Sequence, residues 1–87
     1  MSDGVYSDEI IALSPRSLDE AKVAADELKA GKPTIINFSE LTPEERIWAI
    51  HFLNGVIYAL GGRYKDIGSL VFLFAPPNVE VFGDTQD

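Results

Sequence analysis

The sequence has no cysteine, one histidine, one tryptophan and half as many basic as acidic residues. Without cysteine there is no disulfide and no thiolate metal site, which fits a reducing compartment. Seven Lys and Arg against fourteen Asp and Glu leave a net charge of −7, the wrong sign for a chain whose main partner is a nucleic acid. No apolar run reaches the roughly 18–20 residues that cross a bilayer, and the first residues do not read as a signal peptide. At 87 residues there is room for one small domain and not for two. What remains is a globular composition, with five Phe and three Tyr that a disordered chain would not carry.

The charge is unevenly placed. Asp3, Asp8, Glu9, Asp84 and Asp87 occupy the two ends with no base among them, whereas residues 10–83 hold nine acids and seven bases. Residues 1–9 and 84–87 therefore read as acidic, flexible tails around a core domain at 10–83.

Ile10 to Leu13 is a short apolar run stopped by Ser14-Pro15, and reads as a strand. Ser17 followed by Glu20 is a capping-box pattern, and Leu18, Ala21, Ala24, Ala25 and Leu28 form one helical stripe before the Gly31 and Pro33 stop. Thr34 to Phe38 is β-branched and aromatic, a second strand. Thr42-Pro43-Glu44-Glu45 opens a second helix that runs towards Gly61-Gly62. Asn54-Gly55 inside it is also a hairpin signal, although the cap demands continuation and the paired glycines supply an end. Arg63 to Ile67, a Gly68-Ser69 turn and Leu70 to Ala75 read as a hairpin closed by Pro76-Pro77, with Val79 to Phe82 as a last strand. The expected architecture is α+β, two helices packed on a roughly five-stranded mixed sheet in the order β-α-β-α-β-β-β.

The second helix carries more apolar surface than one sheet can cover. Ala49, Ile50, Phe52, Leu53, Val56, Ile57, Ala59 and Leu60 span an arc of about 180°, where a core-facing helix needs little more than about 100°. The opposite arc holds Ile47, Trp48, His51, Asn54, Gly55 and Tyr58. Trp48, His51, Gly55 and Tyr58 follow the alternating three- and four-residue step of a helix–helix seam. A mid-helix glycine costs about 1 kcal/mol relative to alanine, and close approach of a second backbone is one reason to keep it. Ile47, Trp48, His51, Gly55 and Tyr58 are accordingly the candidate self-association residues, the alternative being that the chain's own loops or termini cover this arc. The last long strand repeats the excess, with Val71 and Leu73 on one face and Phe72 and Phe74 on the other.

No enzyme chemistry is legible, and no catalytic residue, metal site or cofactor is expected. His51 lacks the second His or Cys that a metal site or dyad needs. Glu44-Glu45 and Asp19-Glu20 match helix dipoles as first-turn acids. Gly61-Gly62 lacks the Lys-Ser/Thr of a phosphate loop and follows a helix. Asn37-Phe38-Ser39 matches a glycosylation acceptor by chance. Arg63 and Lys65 suit edge-strand protection or a contact for an acidic peptide.

From Ser17 to Phe82 the chain resembles the C-terminal core domain of SepF, the bacterial cell-division protein. The resemblance rests on Asp19-Glu20-Ala21, Ala25-Asp26-Glu27-Leu28, Phe52-Leu53-Asn54-Gly55, Tyr58-Ala59-Leu60-Gly61-Gly62, Ile67-Gly68 before Val71-Phe72-Leu73, and the closing Pro76-Pro77-Asn78-Val79-Glu80-Val81. It implies a homodimer able to assemble further, which binds the C-terminal tail of FtsZ and links the division ring towards the membrane, in the cytoplasm at the division site. It also favours helix over hairpin at Asn54-Gly55. By resemblance, Lys65, Ile67, Phe72 and Phe74 belong to the tail-binding region, where aromatic anchors suit an apolar peptide. Two departures stand out. Asp66 occupies a place where family members often carry a base, and Met1 to Glu9 shows nothing like the family's amphipathic membrane helix, through which alone a membrane would be reached. The alternative from another class is a small sensory domain that pockets a metabolite between dimer halves. A third reading is a structural paralogue that only co-assembles with a longer SepF.

Overall fold

Both helices start where a side chain satisfies free backbone donors. In the computed structural model, which describes residues 9–79, the Ser17 hydroxyl accepts from the Glu20 N–H and opens α1 (Leu18–Lys29). The Glu20 carboxylate reaches one residue further back than a reciprocal box, accepting from the Arg16 N–H at 2.7 Å. Thr42 opens α2 (Pro43–Leu60) with the full box: its hydroxyl accepts from the Glu45 N–H, and Glu45 accepts from the Thr42 N–H. Asn54-Gly55 lies inside this helix, so the hairpin alternative is excluded. The helix stops at Gly61, whose φ of 81° is the left-handed conformation that glycine adopts without strain.

The strands are β1 (Ile11–Leu13), β2 (Thr34–Asn37), β3 (Arg63–Gly68) and β4 (Val71–Ala75). They form one mixed sheet in the order β1-β2-β4-β3, with β1 and β2 parallel and the other neighbours antiparallel. Four strands are seen among the described residues where about five were expected. Of the anticipated strand at Val79 to Phe82, only Val79 is described, and it sits in a bend. Of the expected tails at 1–9 and 84–87, residues 1–8 and 84–87 likewise lie outside the described residues, while Glu9 is exposed and pairs with Lys32 at 3.3 Å. β1 and β2 each end or begin one residue inside the expected bounds.

Two antiparallel pairings around β4 make β3 run parallel to β2, so each helix bridges two parallel strands. The right-handed rule places both crossovers on the same face. The core agrees: Ala21, Ala24, Ala25 and Leu28 of α1 and Ala49, Leu53 and Ile57 of α2 bury against Ile36, Phe38 and Phe74. Small residues on α1 let the two helices pack on each other as well as on the sheet. Val71 and Leu73, on the other side of β4, stay half-buried outside that cluster. Of the expected arc on α2, Ala49, Leu53 and Ile57 are fully buried, Ile50, Phe52, Val56 and Leu60 pack half-buried against the core, and Ala59 at its edge is exposed.

The hairpin turn lies one residue beyond the expected place. Gly68 pairs with Val71, leaving Ser69 and Leu70 as a two-residue loop with φ of 54° and 66°. Positive φ at both central residues is what a type I′ turn requires, and Asn-Gly is its usual filling. Asp66 pairs with Phe72 while Ile67 has no partner across the ladder, which makes a bulge. The Asp66 carboxylate accepts from the Gly68 N–H at 2.8 Å and holds that bulge. At the far end, the Asn78 amide donates to the Gly31 carbonyl, tying the exit from β4 to the end of α1.

Two glycines make opposite demands. A Cβ on Gly62 would collide with the Ala75 carbonyl oxygen and the Ile57 side chain, whereas a Cβ on Gly55 would meet nothing within 4 Å. Gly62→Ala should therefore lower stability by about 2 kcal/mol, and Gly55→Ala should raise it by up to about 1 kcal/mol, both read by urea unfolding of dilute protein.

Candidate functional site

α2 presents its spare surface outward. Ile47 is 59% exposed, Trp48 42% and Tyr58 84%, with His51 and Gly55 also exposed. The five candidate self-association residues thus share one helix face, and among the described residues nothing packs over the Gly55 backbone. Trp48 is held in place by stacking on Phe52 at 5.0 Å between ring centres, and Phe52 packs in turn against the core. No Asp, Glu, Lys or Arg occurs from Ile47 to Leu60, and His51 is the one imidazole on this face. Asn54 flanks it, half-buried, and is the one polar side chain there whose buried oxygen has no hydrogen-bond partner.

The second candidate group, Lys65, Ile67, Phe72 and Phe74, is not brought together. Phe74 is fully buried in the core and is not available to a ligand, which corrects its place among the tail contacts. Its side chain fills the layer between sheet and helices, where the core takes it. Phe72 is half-buried on the same side, its ring 5.5 Å from Phe38 and 6.0 Å from Tyr64. Lys65 lies opposite Leu73 and so projects from the other face of the sheet, while Ile67 stands exposed at the bulge.

Sequence reasoning missed Tyr64. It pairs with Phe74 across the ladder, its ring lies 5.8 Å from Phe74, and it is 47% exposed, so it carries the aromatic cluster from the core to the surface. The alternation of β3 was the available signal, since a residue opposite Phe74 must share its face. Leu70 was also missed: its side chain is exposed on the turn while its carbonyl accepts from the Phe38 N–H. All six residues of β3 are exposed, and among the described residues this strand pairs only with β4.

Electrostatics in the described region serve the fold. Lys32 lies between Glu9 at 3.3 Å and Glu27 at 3.7 Å. The hydrogen bond and charge of Glu9, followed by the charge of Glu27, hold its ammonium above the ordinary lysine range. Among the described residues there is no group of three His, Cys, Asp or Glu side chains placed to hold a metal ion. None of the described helices is long and apolar enough to cross a membrane.

The fold and these surfaces define a two-layer α+β domain whose prominent features are apolar and aromatic contact surfaces. The family described as Cell division protein SepF matches residues 10–81. Relatives named Cell division protein SepF include one from Shouchella clausii, 42% identical over 93% of this chain and 52% of its own length. Another, from Halalkalibacterium halodurans, is 39% identical over 91% of this chain and 52% of its own. A SepF-like protein from Pyrococcus furiosus shares the fold, with a TM-score of 0.72 at 23% identity over 85% of this chain and 93% of that one. The chain belongs to the SepF family. It spans about half the length of the curated relatives it matches.

The two aromatics of the cluster should separate in stability. Phe74→Ala should cost about 3–5 kcal/mol, whereas Tyr64→Ala should cost about 1 kcal/mol and leave a folded chain, as read by chemical denaturation.

Proposed function

We propose that this domain is the core of a cell-division adaptor that associates with copies of itself and binds the C-terminal tail of FtsZ, linking the division ring towards the membrane. The observation that carries the self-association half is the exposed, uncharged outer face of α2, built from Ile47, Trp48, His51, Gly55 and Tyr58. Two copies of a chain with a net charge of −7 repel each other unless they meet through surfaces free of charge, and this face is one. Family membership supports the division role, and the proposal sets that role in the cytoplasm at the division site.

For the tail, the proposed contacts are Lys65, Ile67 and Phe72, with Tyr64 added and Phe74 acting only as backing. An extended peptide running along β3 meets alternate side chains on its two faces, Tyr64 on one and Lys65 on the other. Asp66 is engaged in the bulge through the Gly68 N–H, so it serves the backbone where a basic residue could not. Lys65, opposite Leu73 on the other face of β3, is the proposed contact for an acidic peptide group.

The two surfaces lie on different elements and are separable by mutation. A synthetic peptide of the FtsZ C-terminal tail should bind, measured by fluorescence anisotropy; no binding at high micromolar concentration removes the adaptor reading. Tyr64→Ala should weaken binding at least about tenfold without changing the mass in light scattering. Gly55→Lys should have the reverse effect. Its side chain meets open space in the protomer, so the chain folds, but two helices can no longer approach closely. If Gly55→Lys keeps the wild-type assembled mass, association runs through another surface, with the Val71 and Leu73 side of the sheet as the candidate.

A further inference from the structure

The two faces of β3 carry opposite charge. Tyr64 pairs with Phe74 and Asp66 with Phe72, so by alternation both side chains stand on the helix side of the sheet. Arg63 and Lys65 alternate with them on the other side. The helix side is aromatic as well as acidic, because the Tyr64 ring is 47% exposed and lies 6.0 Å from the half-buried Phe72 ring. Asp66 is exposed, and its carboxylate is only partly engaged. Oδ1 accepts from the Gly68 N–H, while among the described residues Oδ2 takes no hydrogen bond and no cation pairs with the carboxylate. Same-face neighbours on a strand stand roughly 7 Å apart. A single ammonium or guanidinium group between them can touch the ring and the carboxylate together.

We infer that Tyr64 and Asp66 form a subsite for a lysine or arginine side chain of the peptide that β3 receives. This rests on the reading that an extended peptide runs along β3. The ring offers a π face that attracts a cation, and the free carboxylate oxygen offers the counter-charge. The net charge of −7 acts in the same sense, drawing a basic group in and repelling an acidic one. Lys65, on the other face, makes the reverse demand. Successive side chains of an extended peptide point to opposite faces whichever way the chain runs. The base therefore stands an odd number of residues from any acid that meets Lys65, so β3 selects a pattern of charge in its partner as well as apolar content.

The test uses a synthetic peptide of the FtsZ C-terminal tail, replaced one position at a time by Lys and by Glu, with fluorescence anisotropy at low salt. At one position the exchange of Glu for Lys should tighten binding at least about fivefold more than it does elsewhere, and added salt should reduce that gain. Asp66→Asn removes the charge and keeps an oxygen for the Gly68 N–H, so the bulge stays and the gain at that position should fall to within about twofold of the others. Asp66→Lys should reverse the preference there, and Tyr64→Leu should weaken it. A preference spread evenly along the peptide overturns the inference, because it assigns the effect to net charge alone. A local preference that survives both Asp66→Asn and Asp66→Lys also overturns it, because the base is then held elsewhere. If neither the tail peptide nor any replaced form binds, the tail-binding reading fails and the subsite with it. Binding with no preference for Lys at any position overturns only the subsite.

Discussion

α2 is apolar in nearly every direction, yet the sheet can hide only one side of it. The buried stripe of Ala49, Leu53 and Ile57 closes the core, and the remaining apolar side chains of the helix are left half-buried or exposed. This follows from topology. Two helices crossing between parallel strands on one face of a four-stranded sheet make a single layer, and neither helix has another described element above it. Exposed apolar residues scattered over a surface are ordinary; here several of them share one helix face with an open glycine, which is the surface the proposed self-association uses. The self-associating reading of the domain depends on that geometry.

The close seating of α2 on the sheet relies on its C-terminal end. Gly61 turns the chain in a left-handed conformation, and Gly62 passes so near the Ala75 carbonyl that no side chain fits. With that corner fixed, β3 starts directly after the helix and lies beside β4. Tyr64 then falls opposite Phe74 and brings the aromatic cluster to the surface. The exposed residues of β3 and the outer face of α2, the two surfaces of the proposed contacts, are thus positioned by the same two glycines.

Much of this was legible in the sequence because local signals and burial agree. Ser17 and Thr42 announce their helices, Gly31 and Gly61 end them, and the alanine stripe of α1 is buried where periodicity puts it. The outer face of α2 was legible for the same reason. The surroundings of the proposed tail-contact residues were less so, because they depend on pairing register. Nothing in Phe72 and Phe74 alone says which side of the sheet the helices cover, so Phe74 was given to a ligand when the core takes it. The turn was misplaced by one residue because Gly68-Ser69 carries the local preference. The bulge at Ile67 and the Asp66 hydrogen bond shift the loop to Ser69-Leu70. Bulges are set by the ladder as a whole, which a short window of sequence does not contain.

Among the positions where this chain departs from local consistency, two lie outside the core beside exposed apolar surface. Leu70 occupies a left-handed conformation that glycine or asparagine would adopt with less strain, and Asn54 leaves a buried oxygen without a donor. Natural sequences are mostly consistent from level to level, and local violations concentrate where function requires them. Neither residue is needed to close the sheet or to seat a helix, and each keeps a side chain beside one of the two proposed contact surfaces.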